Sequence, residues 1–176
     1  MEIEFERTLE DMIEFNLFHV DNSPSLRRQI FLTRVVLSLL VFLTVLLISY
    51  NFFHDRPLTS SDYIGGVLGG VFLFVLYPYI NRYSYVRRLK KLYSEGDNKA
   101  ILGKHKINVS KDDLMAVTPA GESKIKWSSI NKIMKNEKFI FLYISAASAI
   151  MIPRKSFADR QMEDGFLKIV HQNTGK

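Results

Sequence analysis

Two uncharged apolar stretches, separated by only nine residues, constrain this chain more than any other feature of its sequence. The first covers residues 35–53 and reads VVLSLLVFLTVLLISYNFF. As a helix rising 1.5 Å per residue it would be about 28 Å long, close to the thickness of the hydrocarbon core of a bilayer. Its Leu, Val, Ile and Phe residues favour insertion by several kcal/mol. Residues 35–53 therefore predict a membrane-spanning helix.

The second stretch covers residues 63–80 and reads YIGGVLGGVFLFVLYPYI. Four glycines and Pro78 make it a weaker span, which we expect to depend on the first helix. The connection HDRPLTSSD, residues 54–62, is so short that the two helices must be antiparallel neighbours. The sequence therefore predicts a transmembrane hairpin over residues 30–81.

The orientation of this hairpin follows from the basic residues at its two ends. The connecting loop contains only Arg56, whereas basic side chains precede the first stretch and follow the second. They are Arg27, Arg28, Arg34, Arg82, Arg87, Arg88, Lys90 and Lys91. By the positive-inside rule, the chain is a multi-pass protein of the cell (inner, cytoplasmic) membrane with both termini cytoplasmic.

The net charge of +6 is unevenly distributed along the chain. Residues 1–53 contain 4 basic and 7 acidic side chains, residues 54–80 contain 1 and 2, and residues 81–176 contain 19 and 9. The positive charge starts beside the second span, so the nearest counter-charge is that of anionic inner-leaflet headgroups. We expect membrane lipids as partners and no nucleic acid. The basic segment either fixes topology only or binds an anionic lipid.

Glycines recur on one face of the second stretch. Gly65, Gly66, Gly69 and Gly70 form two small-xxx-small pairs, a pattern that lets another backbone approach closely. The partner is either the first helix of the same chain, where Ser38 and Thr44 offer small side chains, or a second copy in a homo-oligomer. An unknown membrane protein is the remaining kind of partner.

The segments that flank the hairpin have recognisable patterns. Residues 1–29 predict a cytoplasmic strand and helix, because Ile3 and Phe5 alternate with acidic residues and Thr8 and Asp11 have capping-box spacing. Residues 82–100 predict a basic juxtamembrane helix followed by a polar turn.

Residues 101–176 predict a β-rich cytoplasmic domain. Short runs of Ile, Val, Phe and Tyr alternate with turn residues, which is typical of antiparallel strands. The predicted strands cover residues 104–110, 114–118, 122–127, 130–135, 139–145 and 149–153. A helix over residues 157–171, capped by Ser156, closes the sheet. The fold class is thus an α+β membrane protein with a two-helix hairpin and a small antiparallel sheet domain.

Several short motifs resemble the YcxB-like family of bacterial membrane proteins. They are Gly103-Lys-His, Gly121-Glu122, Ile125-Lys-Trp127-Ser-Ser-Ile130, Phe141-Leu-Tyr143 and Ile152-Pro153-Arg-Lys-Ser-Phe157. The resemblance extends over the hairpin and the C-terminal domain. It implies a sheet-plus-helix module similar to bacterial pleckstrin-homology domains, and it implies no reaction.

No pattern in the sequence indicates an enzyme, a cofactor or a metal. There is no Walker loop, GxSxG or HExxH motif, and the absence of cysteine excludes disulfides and thiolate zinc sites. His54-Asp55 has too few neighbouring ligands for a metal. Trp127 and Phe157 are expected in the core. Arg154 and Lys155 are expected in a solvated turn or in contact with the phosphate of an anionic lipid.

The leading functional hypothesis is a non-enzymatic, membrane-anchored interaction module that binds a protein or an anionic lipid at the cytoplasmic surface. The alternative is an accessory or self-assembling subunit of a membrane complex, in transport or envelope stress, with the glycine face as its seam.

Overall fold

The computed structural model describes residues 1–52, 56–95, 98 and 101–175, and it divides into two compact units. One consists of residues 1–15 and 93–176 and is called the sheet unit below. The other consists of residues 16–92 and is called the hairpin unit.

The hairpin unit is built from two long helices. Helix α1 (Leu9–Asn22) begins in the sheet unit, α2 extends over Pro24–Phe52, and α3 extends over Ser60–Ser94. Both α2 and α3 are long and apolar enough to cross a membrane, and no residue of α2 is buried. The two predicted apolar helices are therefore confirmed, and the predicted basic helix is the uninterrupted continuation of α3.

Asp62 closes the turn between α2 and α3. Its buried carboxylate accepts two hydrogen bonds from Arg56, at 2.7 and 3.1 Å, and one from the backbone N–H of Thr59 at 2.8 Å. The last of these is the N-terminal capping contact of α3. His54 and Asp55 lie outside the described residues.

Seven antiparallel strands form two sheets in the sheet unit. They are β1 (Glu2–Arg7), β2 (Gly103–Val109), β3 (Asp113–Thr118), β4 (Gly121–Lys126), β5 (Lys132–Lys135), β6 (Phe139–Tyr143) and β7 (Ala149–Pro153). The orders are β1-β2-β3-β4 and β5-β6-β7. The six strands predicted after residue 101 are thus confirmed, but they belong to two sheets instead of one. A 3₁₀ turn, Trp127–Ser129, separates β4 from β5.

Strand β1 pairs with β2 over its whole length, from Glu2 opposite Asn108 to Arg7 opposite Gly103. Two neighbouring strands are therefore joined by residues 8–102, which contain the entire helical hairpin. The sequence pattern assigned this strand to a separate N-terminal segment, whereas the structure makes it an edge of the four-stranded sheet.

A single apolar core is shared by both sheets and the last helix, α4 (Arg160–Thr174). Ile3, Ile107, Ile140 and Phe166 are almost fully buried in it. Trp127 and Phe157 also belong to this core, as predicted. The other face of β6 is covered as well, because the ring of Phe15 of α1 lies 5.7 Å from that of Phe141. All five residues of β6 are consequently buried.

The predicted cap of the last helix is wrong. Ser156 belongs to a 3₁₀ turn, Arg154–Ser156, and the helix begins at Arg160, three residues later than predicted. Asp159 is its N-cap, and the carboxylate accepts a hydrogen bond of 2.7 Å from the backbone N–H of Met162. The helix ends at Thr174. Its C-cap is Gly175, whose φ of 66° lies in the left-handed region that favours glycine.

Candidate lipid-binding surface of the hairpin unit

The net positive charge of the chain belongs to the hairpin unit. Residues 1–15 contain 1 basic and 6 acidic side chains, and residues 93–176 contain 14 and 9, so the formal net charge of the sheet unit is zero. Residues 16–92 contain 9 basic and 3 acidic side chains, which equals the whole net charge of +6. Within the sheet unit, the net positive charge of residues 93–176 is therefore cancelled by the net negative charge of residues 1–15.

The basic residues of α3 follow its apolar part along one helix. Arg87, Arg88, Lys90 and Lys91 are all exposed. Since the helix rises 1.5 Å per residue, Arg82 lies about 3 Å beyond Ile80 along the axis and Lys91 about 16 Å beyond it. These side chains thus occupy a range of distances from the apolar part.

Arg82 has an ionic partner in the same unit. Its guanidinium donates to the carboxylate of Asp21 at 3.0 Å, and both side chains are 56% exposed. An ion pair this exposed is weak. It links the end of α1 to the middle of α3.

Arg34 contacts α3 at the position where Pro78 interrupts the backbone hydrogen bonding of the helix. Pro78 has no N–H to donate to the carbonyl of Phe74, four residues before it. The Nε–H of Arg34 donates to that carbonyl instead, and its guanidinium lies 3.6 Å from the centre of the Phe74 ring. From the sequence, Arg34 was interpreted only as one of the basic residues that flank the first span. The four-residue spacing of Phe74 and Pro78 was the sequence signal that could have indicated a carbonyl in need of another donor.

The glycine face of α3 packs against α2 of the same chain. A Cβ atom at Gly70 would lie 3.0 Å from the carbonyl oxygen of Ser38, and one at Gly66 would lie 2.8 Å from the ring of Phe42. Gly69 and Gly65 face Val41 and Val45 at 3.2 and 3.9 Å. Thr44, the other small residue considered, donates to the carbonyl of Leu40 in its own helix. The intramolecular alternative is the one that the structure contains.

A cleft of about 410 Å³ opens where α1, α2 and α3 come together in the hairpin unit. Asp21 and Arg82 line it together with the polar residues Gln29, Thr33, Asn81 and Tyr85. Leu26, Ile30, Tyr77 and Pro78 are among its apolar lining residues. Of these residues, only Arg82 was predicted from the sequence to bind a ligand, because the cleft depends on a contact between α1 and α3 that no local pattern reveals.

Arg154 and Lys155 have different surroundings. Arg154 makes a two-point contact with the buried carboxylate of Glu163, its Nε lying 2.9 and 3.1 Å from the two oxygens. It also donates to the carbonyl of Asn136 at 3.3 Å. Arg154 therefore ties α4 to the β5–β6 turn instead of extending into solvent. Lys155 is exposed.

His105 is a buried histidine at the β1–β2 contact. Its ring stacks on Phe5 at 5.6 Å, and its Nε2 lies 2.9 Å from the carbonyl of Ile101, so Nε2 carries the proton. Burial, and then the nearby positive charge of Arg7, lower the pKa of His105 below its ordinary value of 6.5. The folded chain thus favours the neutral form of His105 more than the unfolded chain does.

Among the described residues, no three His, Cys, Asp or Glu side chains come together as a metal site. The arrangement offers instead cationic and hydrogen-bonding groups beside apolar helices.

These features define an α+β chain in which two long apolar helices interrupt a small antiparallel sheet unit. Residues 109–170 match the model of a family described as YcxB-like protein, which confirms the resemblance for β3–β7 and most of α4. The hairpin and β1 lie outside the matched residues. No curated protein and no solved structure matches the chain.

Proposed function

We propose that the chain is a non-enzymatic, membrane-anchored module. In this proposal the hairpin crosses the cytoplasmic membrane, and the sheet unit, similar to pleckstrin-homology domains, is held at the cytoplasmic surface. The basic ends of the helices bind anionic headgroups there. The observation that carries the proposal is that the entire net charge of +6 belongs to the unit with the two apolar helices.

Exposed apolar surface supports the membrane part of the proposal. Helix α2 has no buried residue along its 29 positions, although Leu, Val and Phe dominate it. Soluble proteins rarely expose apolar surface of this extent, because water solvates it poorly. A bilayer covers such a helix on all the sides that α3 leaves free. The paired Arg56 and Asp62 lie at the turn, where the proposed span ends.

The charge distribution supports the headgroup part. Each Lys or Arg near an anionic surface contributes about 1 kcal/mol of attraction, and the attraction decays within about one Debye length of 8 Å at physiological salt. Arg82, Arg87 and Arg88 lie within about 12 Å of the end of the apolar part along α3. The neutral sheet unit adds no net attraction of its own.

Cysteine labelling tests the membrane topology, since the chain has no cysteine of its own. Ser60→Cys at the start of α3 and Ala146→Cys in the β6–β7 turn both introduce exposed thiols. We expect an impermeant maleimide to label Ser60→Cys on intact cells and Ala146→Cys only after permeabilisation. Equal labelling of both sites on intact cells would contradict the hairpin, and the opposite pattern would contradict the orientation.

Lipid retention tests the headgroup contact. The full chain is purified in mild detergent, and the phosphatidylglycerol that remains bound is quantified. Replacing Arg87, Arg88, Lys90 and Lys91 with Gln should lower retention about tenfold or more. The matched control replaces four exposed lysines of the sheet unit, Lys126, Lys132, Lys135 and Lys168, and should leave retention unchanged. Equal losses in both variants would contradict the proposal.

The alternative function, a self-assembling or accessory subunit of a membrane complex, drew its support from a free glycine face. Gly66 and Gly70 are buried against α2 of the same chain. We therefore favour the anchored module.

A further inference from the structure

The cleft of the hairpin unit is lined by two opposite charges and by apolar residues. The carboxylate of Asp21 and the guanidinium of Arg82 lie 3.0 Å apart, and the cleft volume of about 410 Å³ is that of a small-molecule site. Its apolar lining includes Ile30 and Tyr77, which belong to the apolar parts of α2 and α3. A ligand that fits must have a headgroup with both charges and a chain that continues along the helices.

The negative side of the cleft suits an ammonium group with N–H donors. Asp21 is in the last turn of α1, which ends at Asn22. The carbonyl groups at the end of a helix carry partial negative charge, and this adds to the charge of the carboxylate. A primary ammonium has three donors for such acceptors, whereas a quaternary ammonium has none.

The positive side suits a phosphate. A guanidinium has five donors, and the contact with Asp21 is made through one nitrogen of Arg82. The side-chain amides of Gln29 and Asn81 also line the cleft, and neither has a hydrogen-bond partner within the part of the chain that the structure describes. Donors for several phosphate oxygens therefore line the cleft.

We infer that this cleft binds one zwitterionic phospholipid with a phosphoethanolamine headgroup, its ammonium on Asp21 and its phosphate on Arg82. The inference rests on the proposed function, because it requires the hairpin to lie in a bilayer. An anionic headgroup without an ammonium would place a second negative charge beside Asp21. The exposed ion pair between Asp21 and Arg82 is weak, so the headgroup replaces it at small cost.

Native mass spectrometry of the full chain in mild detergent tests the inference. Because Arg87, Arg88, Lys90 and Lys91 are proposed to bind phosphatidylglycerol outside the cleft, these four residues are first replaced by Gln. This chain is then titrated with equal amounts of dioleoyl phosphatidylethanolamine, phosphatidylcholine and phosphatidylglycerol. We expect the first bound lipid to be phosphatidylethanolamine, preferred over phosphatidylcholine by about tenfold, the effect of one charge-assisted hydrogen bond. Soluble glycerophosphoethanolamine in large excess should not displace it, since the acyl chains contribute to binding.

Two variants and one control assign the two charges. Asp21→Asn should abolish the preference for phosphatidylethanolamine over phosphatidylcholine, and Arg82→Gln should weaken the first binding event for all three lipids. Lys126→Gln, at an exposed residue of the sheet unit that does not line the cleft, should leave the preference unchanged. Trp127 fluorescence verifies that each variant is folded.

The outcomes separate the inference from the proposed function. If Asp21→Asn lowers the thermal midpoint but keeps the lipid preference, the pair only connects α1 to α3 and the inference is overturned. It is also overturned if phosphatidylglycerol binds before phosphatidylethanolamine to the chain in which the four basic residues of α3 outside the cleft are replaced by Gln. Failure of the proposed function would instead appear as unchanged phosphatidylglycerol retention after neutralisation of Arg87, Arg88, Lys90 and Lys91.

Discussion

At the scale of single residues, Arg34 provides the hydrogen bond that Pro78 withholds from Phe74. Arg34→Ala should lower the free energy of unfolding of the hairpin by about 1–2 kcal/mol, because a carbonyl in apolar surroundings loses its donor. Adding Pro78→Ala should restore most of this loss, since residue 78 then donates within the helix. Thermal unfolding in detergent measures all three variants.

The rescue distinguishes this role from simple loss of a positive charge. Arg27→Ala, at an exposed position of the same helix, removes the same charge and should leave the unfolding midpoint unchanged. A double variant no more stable than Arg34→Ala alone would show that Arg34 does not act through the Phe74 carbonyl.

His105 gives the sheet unit a pH dependence of predictable sign. Because burial and Arg7 lower the pKa of His105 below 6.5, the unfolded chain binds this proton more readily than the folded one. The contribution of His105 to the free energy of unfolding is therefore constant at a pH well above 6.5 and falls as the pH drops through about that value. Denaturant titrations followed by Trp127 fluorescence, from pH 7.5 to 5, measure the slope.

Substitutions at two histidines show whether His105 is responsible for this slope. His105→Phe keeps the stacking on Phe5 but cannot titrate, so the slope should flatten even if overall stability falls. His171→Gln, at an exposed position of α4, should keep the slope. Lys124 lowers the pKa of Asp113 below 3.8, so this carboxylate titrates below the tested range. An unchanged slope in His105→Phe would refute the assignment.

At the same scale, side-chain roles were predictable only where a local pattern determined them. Thr8 and Asp11 were assigned to a capping box from their spacing, and each accepts a hydrogen bond from the backbone N–H of the other. The role of Arg154 was not predictable, because it depends on the later residue Glu163 being buried on α4. Ser156 and Asp159 are both good N-caps, and only the 3₁₀ turn after β7 excludes the first.

At the scale of elements, the contact between α2 and α3 depends on Gly70 more than on its neighbours. A Cβ at Gly70 would meet the backbone carbonyl of Ser38, which cannot move alone, whereas one at Gly66 would meet mainly the movable ring of Phe42. Gly70→Ala should therefore destabilise the hairpin by about 1 kcal/mol or more, and Gly66→Ala by less. Gly65→Ala, with ordinary contact to Val45, is the matched control.

Thermal unfolding in detergent ranks these three variants, and light scattering measures their oligomeric state. We expect the oligomeric state to stay unchanged in all three, because the glycines contact the same chain. A variant that dissociates an oligomer without changing the unfolding midpoint would show that the face joins two copies.

The elements themselves were largely predictable, but their pairing was not. Alternation of apolar residues located β1, and short apolar runs between turn residues located the other six strands to within about two residues. Nothing local indicates that Ile3 pairs opposite Ile107, since about a hundred residues separate them. The division into two sheets depends likewise on the short turn at Trp127, which continues the strand pattern in the sequence.

At the scale of the whole molecule, the insertion of the hairpin between β1 and β2 makes the sheet unit discontinuous in sequence. Residues 1–15 supply Ile3 and Phe5 to the core and Phe15 to the outer face of β6. They also supply six acidic side chains that reduce the charge of this unit to zero. A fragment that begins after the hairpin is therefore both incomplete and artificially basic.

The last prediction concerns a version of the sheet unit without the hairpin. Residues 93–176, a Gly/Ser linker of about 12 residues and residues 1–15 are joined in that order. Met1 lies beside Gly165, and α4 continues for about 15 Å to Gly175, which a linker spanning roughly 20 Å bridges. This permuted chain should be a folded, soluble monomer, because it contains every strand and the first half of α1.

Residues 93–176 alone should fail to fold. Without β1 the core loses Ile3 and Phe5, and truncating even one such side chain typically costs about 2–5 kcal/mol, against a total stability of about 5–15 kcal/mol. Circular dichroism, Trp127 fluorescence and size-exclusion chromatography compare the two chains. The permuted chain has no net charge, so it should not bind anionic vesicles at physiological salt. If residues 93–176 fold alone with the same unfolding midpoint, β1 is dispensable, and the discontinuous unit described by the structure is not the stable one.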